Sequence, residues 1–355
     1  MTNGNSPDRI KITLDDLADV RVAENGPEPI AQPAAGSRSY GTITEASGQA
    51  PAVEAERGSI FLQGWFYLGV AGLLGALAGW AICEPGFVDG QSGHHWGNIL
   101  LLPVLVALMT LGFGIAESLV ERSVQKALIR AALALPLGIV LGFVFYFMAN
   151  IVFSLLVSIV AQMGVQSFRS PAFWIARAGA WAVFGVAGGL VYGIVGQSYK
   201  KGKFGVFGGI LGAGIGGILF DPIAIWTGGP SAALSRAVGF AIFGLATGAM
   251  MGIVESALKD RWFYVTAGPL AGKQFILYKP QTSIGSNQQS DIYLFKDPAI
   301  LPNHAALVAN GSRMMLRANG PVFVSGSPVS TRVMQDGDLV QIGRYTFRYK
   351  EKSRP

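Results

Sequence analysis

The chain has 355 residues, of which 51% are hydrophobic and 14% are charged, and its formal net charge is +6. A soluble domain has about a quarter of its residues charged, so this composition excludes an ordinary soluble protein over most of the chain. The apolar residues are grouped in long runs, which indicates membrane spans. Cys83 is the single cysteine, which excludes a disulfide framework and a four-cysteine metal site.

The N-terminal segment 1–58 differs from the rest in charge and composition. It carries nine acidic against five basic residues, a balance of −4, and is rich in Pro, Gly, Ser and Ala. Such a segment cannot bury enough apolar surface to fold, so we predict a disordered cytoplasmic tail. It lacks the basic-then-apolar start of a signal peptide, and we expect the first apolar run to act as the insertion signal.

Six apolar runs are long enough to cross a bilayer, which takes about 20 helical residues. Together they predict a six-helix membrane domain over residues 59–260. The predicted spans are Ile60–Cys83, Asn98–Val120, Ala131–Val160, Phe173–Gly196, Phe204–Phe220 and Ala233–Leu258.

Basic residues alternate between the connections. Segments 84–96 and 221–235 contain no Lys or Arg, whereas 121–130 and 197–203 contain three each. Only Arg169, after the third span, breaks the pattern. Because cytoplasmic loops are enriched in Lys and Arg, we predict a multi-pass protein of the cytoplasmic membrane with both termini inside.

The spans also repeat in sequence. A shift of 59 residues aligns Arg177 with Arg236 and three glycines of the fourth span with three of the sixth, while 114–118 resembles 252–256. We predict an internal repeat of parallel hairpins, made by spans two and three and by spans four and five, with span six starting another. Glycine at every fourth residue lets helix backbones approach closely, as in a glycine zipper. Packing within one chain is the favoured interpretation, and a homo-oligomer interface or a glycine-lined pore is the alternative.

Two acidic residues, Glu117 and Glu255, occupy the same repeat position near the predicted cytoplasmic edge. Acids inside a membrane are candidates for ion or proton handling because burying a charge is costly. Near the interface, each carboxylate can instead reach water or pair with Arg122 or Lys259. Asp221 precedes Pro222, and this pair predicts the end of the fifth helix.

The outer loop 84–96 contains His94 and His95 together with Glu84 and Asp89. Adjacent histidines do not share a helix face, so we expect a solvated loop and no metal site.

From Trp262 onward the pattern changes to short β-type runs. These are Gln274–Tyr278, Asp291–Leu294, Ala305–Val308, Arg313–Leu316, Leu339–Ile342 and Thr346–Tyr349. Asn310-Gly311 is a hairpin signal. Residues 261–350 are therefore predicted to form an all-β antiparallel sandwich, followed by a short tail over 351–355. The resulting fold class is multidomain, with the six-span helical domain followed by the sandwich.

Several short motifs follow one another within this region. They are Ser283–Ser286, Ser290–Leu294, His304-Ala305, Met334–Asp338 and Gln341–Gly343. Their order and spacing resemble those of a forkhead-associated (FHA) domain over residues 262–350. The resemblance implies a β-sandwich whose loops at one end bind phosphothreonine peptides. It also implies turn or structural roles for Gly285, Asp336, Gly337, Asp338 and Gly343, and a role for His304 in bracing the loops.

The chain departs from the family where phosphate affinity would arise. Ser286 stands where the family usually has Arg, and Leu301 where it usually has Ser. The family's Asn-Gly-Thr run falls at Gly320-Pro321-Val322, with Asn319 adjacent. Because charged hydrogen bonds contribute about 1.5–3 kcal/mol each, we predict a loop end that binds protein without phosphate. Its candidate residues are Ser286, Asn287, Asn303, His304, Gly320 and Ser325. A displaced basic pocket made by Arg313, Arg317, Arg332 and Arg344 is the alternative.

The run from Gly268 to Gln274 superficially matches a phosphate-binding loop. It has three residues between its glycines instead of four, lacks the Ser or Thr that holds magnesium, and precedes a strand. We therefore predict that it binds no nucleotide. The chain has three histidines, one cysteine and no Ser/His/Asp cluster outside the spans, so we predict no cofactor and no enzyme activity.

The predicted function is a membrane-anchored signalling scaffold whose FHA-like domain recruits a cytoplasmic protein, with the bilayer as its other partner and no nucleic acid bound. One alternative is a small transporter or channel regulated by that domain, in which Glu117 and Glu255 act on the ion. Another is a working phosphothreonine reader.

Overall fold

The structure is a computed structural model that describes residues 59–89, 95–165, 167, 169–226, 232–311 and 313–352. The predicted tail over 1–58 and His94 lie outside the described residues. Six long helices come first, and a domain of eleven β-strands follows them. All six helices are long and apolar enough to cross a membrane, so the expected fold class is confirmed.

The helices are α1 Gly64–Cys83, α2 Trp96–Val120, α3 Val124–Gln162, α4 Pro171–Val195, α5 Tyr199–Trp226 and α6 Ala232–Leu258. The largest difference from prediction is α3, which begins seven residues earlier than predicted. Ser123 caps it, with Oγ accepting the backbone N–H of Lys126 at 3.3 Å. Because capping satisfies a free N–H of the first turn, the helix includes the polar stretch before the apolar run.

The predicted end of α5 at Asp221-Pro222 is wrong. The helix continues through both residues to Trp226. Asp221 accepts a hydrogen bond from Arg177 Nε at 2.8 Å, so its carboxylate is held by a neighbouring helix. Proline removes one backbone donor, and here this does not end the helix.

Glycines bring the helices into close contact in pairs. A Cβ added at Gly185 of α4 would lie 2.1 Å from the carbonyl oxygen of Gly209 in α5. A Cβ at Gly244 of α6 would lie 2.2 Å from the carbonyl oxygen of Gly72 in α1. Any larger residue would therefore push these backbones apart.

The pair α6–α1 resembles the pair α4–α5 in its contacts. Arg177 of α4 binds Asp221 near the end of α5, and Arg236 of α6 binds Glu84, just after α1, at 2.5 Å. Arg236 also binds Asp89 at 2.6 Å. The last span thus packs on the first, as α4 packs on α5. The repeat seen in the sequence stays a prediction.

The β domain consists of two sheets. The first has the order β2-β1-β11-β10-β7-β8 and the second the order β4-β3-β5-β6-β9. The strands are β1 Arg261–Ala267, β2 Gln274–Ile276, β3 Gln281–Gly285, β4 Ile292–Tyr293, β5 Ala305–Asn310, β6 Arg313–Ala318, β7 Phe323–Val324, β8 Ser327–Pro328, β9 Thr331–Val333, β10 Leu339–Ile342 and β11 Tyr345–Glu351.

One strand pair departs from the predicted antiparallel arrangement. β3 and β4 run parallel. The loop after Gly285 returns the chain to the level of Ile284, where Ile292 of β4 pairs with it. The predicted hairpin at Asn310-Gly311 joins β5 to β6, where Asn310 pairs with Arg313 and Gly311 has φ +61°. Phe263, Ile284, Leu316 and Phe347 are among the fully buried side chains of the domain.

Candidate functional site

The loop end of the β domain is formed where β3 ends and β5 begins. Ser286 N–H donates to the carbonyl of Leu301 at 3.0 Å, and Asn287 N–H donates to that of Pro302 at 3.4 Å. Asn319 Nδ2 donates to the carbonyl of Asn303 at 3.1 Å. These hydrogen bonds bring three loops together.

His304 is at the centre of the loop end and is only 1% exposed. Its Nδ1 accepts the N–H of Leu301 at 3.1 Å, so Nε2 carries the proton and donates to the carbonyl of Pro321 at 3.0 Å. Gly320 lies against the ring, since a Cβ there would be 2.5 Å from Cε1 of His304. His304 therefore connects two loops from inside and cannot touch a partner.

Ser286 is directed into the domain. Its Oγ donates to the carbonyl of Ile300 at 2.8 Å, so the hydroxyl is used within the loop end. Leu301 is 44% exposed and offers no hydrogen bond from its side chain. Asn287, Asn303 and Asn319 are exposed and uncharged. Asn287 Oδ1 accepts the N–H of Gln289 at 3.0 Å, so this amide is also used within the loop end.

Ser325 does not belong to this cluster. It lies at the turn between β7 and β8 with φ +49°, and its N–H donates to the carbonyl of Leu339 at 2.8 Å. Its Oγ donates to Asp338 Oδ1 at 3.4 Å. Five of the six predicted partner-binding residues thus meet at the loop end, and Ser325 is instead beside the turn that contains Asp338.

The residues predicted to have structural roles in the β-sandwich lie in turns or in closely packed positions. A Cβ at Gly285 would lie 2.0 Å from the carbonyl oxygen of Pro302. Gly337 has φ +92° and Gly343 has φ +55°, values that favour glycine. Asp336 Oδ1 accepts the N–H of Glu351, and Asp338 Oδ2 accepts the N–H of Gln335, both at 2.9 Å.

The four arginines of the predicted alternative pocket are dispersed. Arg332 binds Asp338 at 3.2 Å. Arg313 and Arg317 lie near opposite ends of β6, and the N–H of Arg344 donates to Asp297 at 2.9 Å. We see no shared phosphate fork among these described residues.

Asp291 links β3 to the start of β4. Its Oδ2 accepts the N–H and the hydroxyl of Ser283, both at 2.9 Å, and its Oδ1 accepts from Lys279 Nζ at 2.8 Å. Partial burial opposes ionisation, but the hydrogen bonds from Lys279 and Ser283 outweigh it and lower the pKa of Asp291. The motif residue is therefore a structural anchor of the loop that follows β3.

The β domain is joined to the membrane helices by what we call the junction. It comprises Glu121 and Ser123 between α2 and α3, Lys126 in the first turn of α3, and Lys273, Gln288 and Ser290 of the β domain. Glu121 accepts from Lys126 at 2.9 Å and from Lys273 at 2.8 Å. Lys126 Nζ also donates to the carbonyl of Ser290 at 2.7 Å.

Two further hydrogen bonds and a ring contact extend the junction. Ser123 Oγ donates to the carbonyl of Gln288 at 3.0 Å, and the N–H of Gln125 donates to Gln288 Oε1 at 3.2 Å. The Arg122 guanidinium lies 5.7 Å from the ring centroid of Phe295. The loop that begins with Ser286 is consequently fixed against the membrane domain along its second half.

Glu117 and Glu255 line one cavity of about 100 Å³ between the helices and β2. The predicted partners Arg122 and Lys259 are wrong. Glu117 Oε2 accepts from Lys201 at 2.7 Å and from Arg130 at 3.1 Å.

Glu255 is held by two tyrosines, one from each domain. Its carboxylate accepts from the hydroxyl of Tyr192 in α4 at 2.8 Å and from that of Tyr278 in the β domain at 2.9 Å. Burial and the neighbouring Glu255 carboxylate raise the pKa of Tyr278 far above its ordinary value, so its hydroxyl stays protonated and remains a donor.

Sequence reasoning missed Glu121, Lys273 and Tyr278 as functional positions. In the sequence, Lys273 belongs to the run that superficially matches a phosphate-binding loop. The structure uses that loop as the β1–β2 turn, and it buries Lys273 to 1% exposure. The sequence signal for Lys273 is that it is a charged residue between two apolar strand runs. That signal does not identify Glu121 as its partner. Among the described residues, no three metal-ligating side chains cluster.

Residues 264–353 match the family described as the inner membrane component of the T3SS, cytoplasmic domain (Yop-YscD). The glycogen accumulation regulator GarA of Mycolicibacterium smegmatis is 33% identical over 101 residues, which are 28% of this chain and 63% of that protein. The oxoglutarate dehydrogenase inhibitor of Corynebacterium glutamicum is 34% identical over 84 residues, which are 23% of this chain and 58% of that protein.

The matches to these relatives span about three fifths of their length and about a quarter of this chain. Among solved structures, the FHA domain of CT664 from Chlamydia trachomatis is 22% identical, with a TM-score of 0.25, and covers 27% of this chain and 100% of that one. The family match and the relatives agree on the C-terminal segment, which is a divergent FHA domain attached to six membrane-spanning helices.

Proposed function

We propose that this protein is a scaffold that holds its FHA domain at the cytoplasmic face of the membrane and binds a cytoplasmic protein through the loop end, without phosphate. The observation that carries the proposal is the inward hydrogen bond of Ser286 to Ile300. At the position where the family has Arg, this side chain is neutral and already engaged. A charged fork for phosphate is missing from the described loop end.

The exposed part of the loop end fits a protein surface. Leu301, Pro302 and Asn303 are exposed beside Asn319 and Pro321. Apolar and amide groups of this kind contribute contacts that do not depend on a partner's modification. The buried His304 and the junction keep these loops rigid, which lowers the entropy that a partner must overcome.

Orientation follows from charge. The FHA domain lies on the membrane side that carries Arg122, Lys126, Arg130, Lys200 and Lys201. Positive residues are enriched in cytoplasmic loops, so this side is assigned to the cytoplasm. A non-enzymatic role is part of the proposal.

A position-specific photo-crosslinker placed at Asn303 tests the proposal in cells. We expect a covalent adduct with a cytoplasmic protein that also forms after phosphatase treatment of permeabilised cells. The matched control places the crosslinker at Arg313, which is exposed at the end of β6 that lies away from Asn303. Equal adducts at both positions, or an adduct that phosphatase abolishes, would contradict the proposal.

A small transporter is the second candidate, because Glu117 and Glu255 line the same cavity at the membrane end of the junction. Glu117 accepts two hydrogen bonds on Oε2, and Glu255 accepts one on each carboxylate oxygen. The fully buried Phe113 and Met251 pack between α2, α4 and α6 below the cavity. Ion flux in reconstituted vesicles that is lost in Glu117→Gln and Glu255→Gln would favour this candidate over the scaffold.

A further inference from the structure

A groove of about 530 Å³ opens between α4 and α5 at the end that carries the FHA domain. Its floor is made by Gly193 and Gly202, where a Cβ on Gly193 would lie 2.3 Å from the Cα of Gly202. Its walls are apolar side chains of both helices: Leu190, Ile194, Val206, Phe207 and Ile210. Ile194 and Phe207 are 53% and 54% exposed, and in membrane-spanning helices such surfaces face lipid.

One end of the groove is polar. Gln197, Tyr199 and Lys203 line it there, and Lys203 Nζ lies 5.5 Å from the ring centroid of Tyr199. Lys203 forms no ion pair among the described residues, whereas its neighbour Lys200 pairs with Asp260 at 3.1 Å. A tyrosine and a lysine at the end of an apolar surface are typical of the level of lipid headgroups.

The corresponding sites on the other two helix pairs are different. The contact of Gly193 with Gly202 corresponds to that of Gly252 with Trp65 in the pair α6–α1. In the pair α2–α3, Gly114 contacts Ala134. The residues that follow the contact partners Gly202, Trp65 and Ala134 are Lys203, Phe66 and Leu135, respectively. Only the α4–α5 pair therefore combines a floor without side chains with a cation.

We propose that this groove binds one anionic phospholipid, with an acyl chain along the glycine floor and the headgroup on Lys203. From Lys203 to Ile210 the groove follows α5 for roughly 10 Å, at the helix rise of about 1.5 Å per residue. The apolar walls suit an acyl chain. The unpaired ammonium favours an anionic headgroup over a neutral one, because a lysine near the surface attracts anionic lipid.

The test measures retained lipid on the full chain by native mass spectrometry after reconstitution in nanodiscs of phosphatidylcholine with or without phosphatidylglycerol. We expect one phosphatidylglycerol to be retained in preference to phosphatidylcholine. Lys203→Gln should lower this preference about fivefold, the effect of one lysine near an anionic surface. Val206→Phe, which narrows the groove, should lower retention of both lipids.

Lys200→Gln is the matched control, since it removes the same charge from the same turn but outside the groove. It should change the preference less than twofold. Equal losses in Lys203→Gln and Lys200→Gln would mean diffuse attraction and would overturn the proposal, as would equal retention of both lipids by the unaltered chain. If Val206→Phe does not fold, as judged by gel filtration, the comparison of the two lysine variants still decides the question.

Discussion

Lys273 Nζ donates to Glu121 Oε1 at 2.8 Å, and both side chains are only 1% exposed. The two residues are 152 positions apart and belong to the β1–β2 turn and the end of α2. The FHA domain is thus fixed to the membrane helices by a buried ion pair, in addition to the short connection after α6. A rigid attachment of this kind determines which of its surfaces remain open to partners.

Lys273→Met should loosen this attachment. Removing one partner of a buried ion pair costs about 3–5 kcal/mol, because the remaining charge stays buried. Glu121 keeps Lys126 as a partner, so we expect about 3 kcal/mol. The thermal unfolding of the full chain in detergent, together with the rate of proteolysis at residues 259–261, measures the effect.

The control for that experiment is Lys350→Met. Lys350 pairs with Asp336 at 3.5 Å, with side chains 37% and 53% exposed, and exposed pairs contribute about 0–1 kcal/mol. A Lys273→Met variant as stable and as protease-resistant as this control would show that the junction does not hold the domains together.

Tyr278→Phe should destabilise the same interface by removing one of the two hydroxyls that hold Glu255. Hydrogen bonds to charged groups contribute about 1.5–3 kcal/mol, and we expect a loss of about 2 kcal/mol in thermal unfolding. Tyr264→Phe is the control, since the hydroxyl of Tyr264 makes no hydrogen bond among the described residues. Equal stability of the two variants would argue against a structural role for the Tyr278–Glu255 contact.

Asp291→Asn should lower stability in a pH-dependent way. The folded-state pKa of Asp291 is lowered, so its carboxylate stabilises the fold at pH values above its unfolded pKa of about 3.9. This contribution is lost as the pH falls through the lower folded-state pKa. We expect a loss of about 1–2 kcal/mol at pH 7 that shrinks below about pH 4. A difference in unfolding free energy between the unaltered chain and Asp291→Asn that stays constant from pH 7 to pH 3 would contradict the role of the charge.

The double substitution Ser286→Arg with Leu301→Ser should create phosphothreonine binding. It restores the two residues that the FHA family has at these positions, each able to contribute about 1.5–3 kcal/mol through charged hydrogen bonds. Fluorescence anisotropy with phosphothreonine peptides should show at least a tenfold gain over the unaltered chain. Tight binding by the unaltered chain would instead show that another group supplies the phosphate site.

The sequence was sufficient for the membrane domain and for the type of the β domain. Hydrophobic runs of about 20 residues have few other interpretations, and the order of motifs from Ser283 to Gly343 specified the sandwich. Local sequence signals gave wrong predictions at positions whose structure depends on tertiary contacts. Asp221-Pro222 does not end α5, which continues to Trp226, and Arg177 from another helix holds Asp221.

The partners of Glu117 and Glu255 also depended on tertiary structure. Nearby bases in the chain, Arg122 and Lys259, were the expected partners. The structure uses Lys201 and Arg130 for Glu117 and two tyrosine hydroxyls for Glu255. The packing of the helices and the docking of the β domain determine these partners, and sequence spacing does not encode either of them. The displacement of Ser325 from the loop end has the same cause, since β7 is only two residues long.

The affinity of the full chain for the protein crosslinked at Asn303 is the most direct test of the scaffold. It should be measured with the chain in nanodiscs, before and after phosphatase treatment of both proteins. A dissociation constant that changes less than twofold is the predicted result. A loss of affinity of more than tenfold after phosphatase treatment would contradict recognition without phosphate.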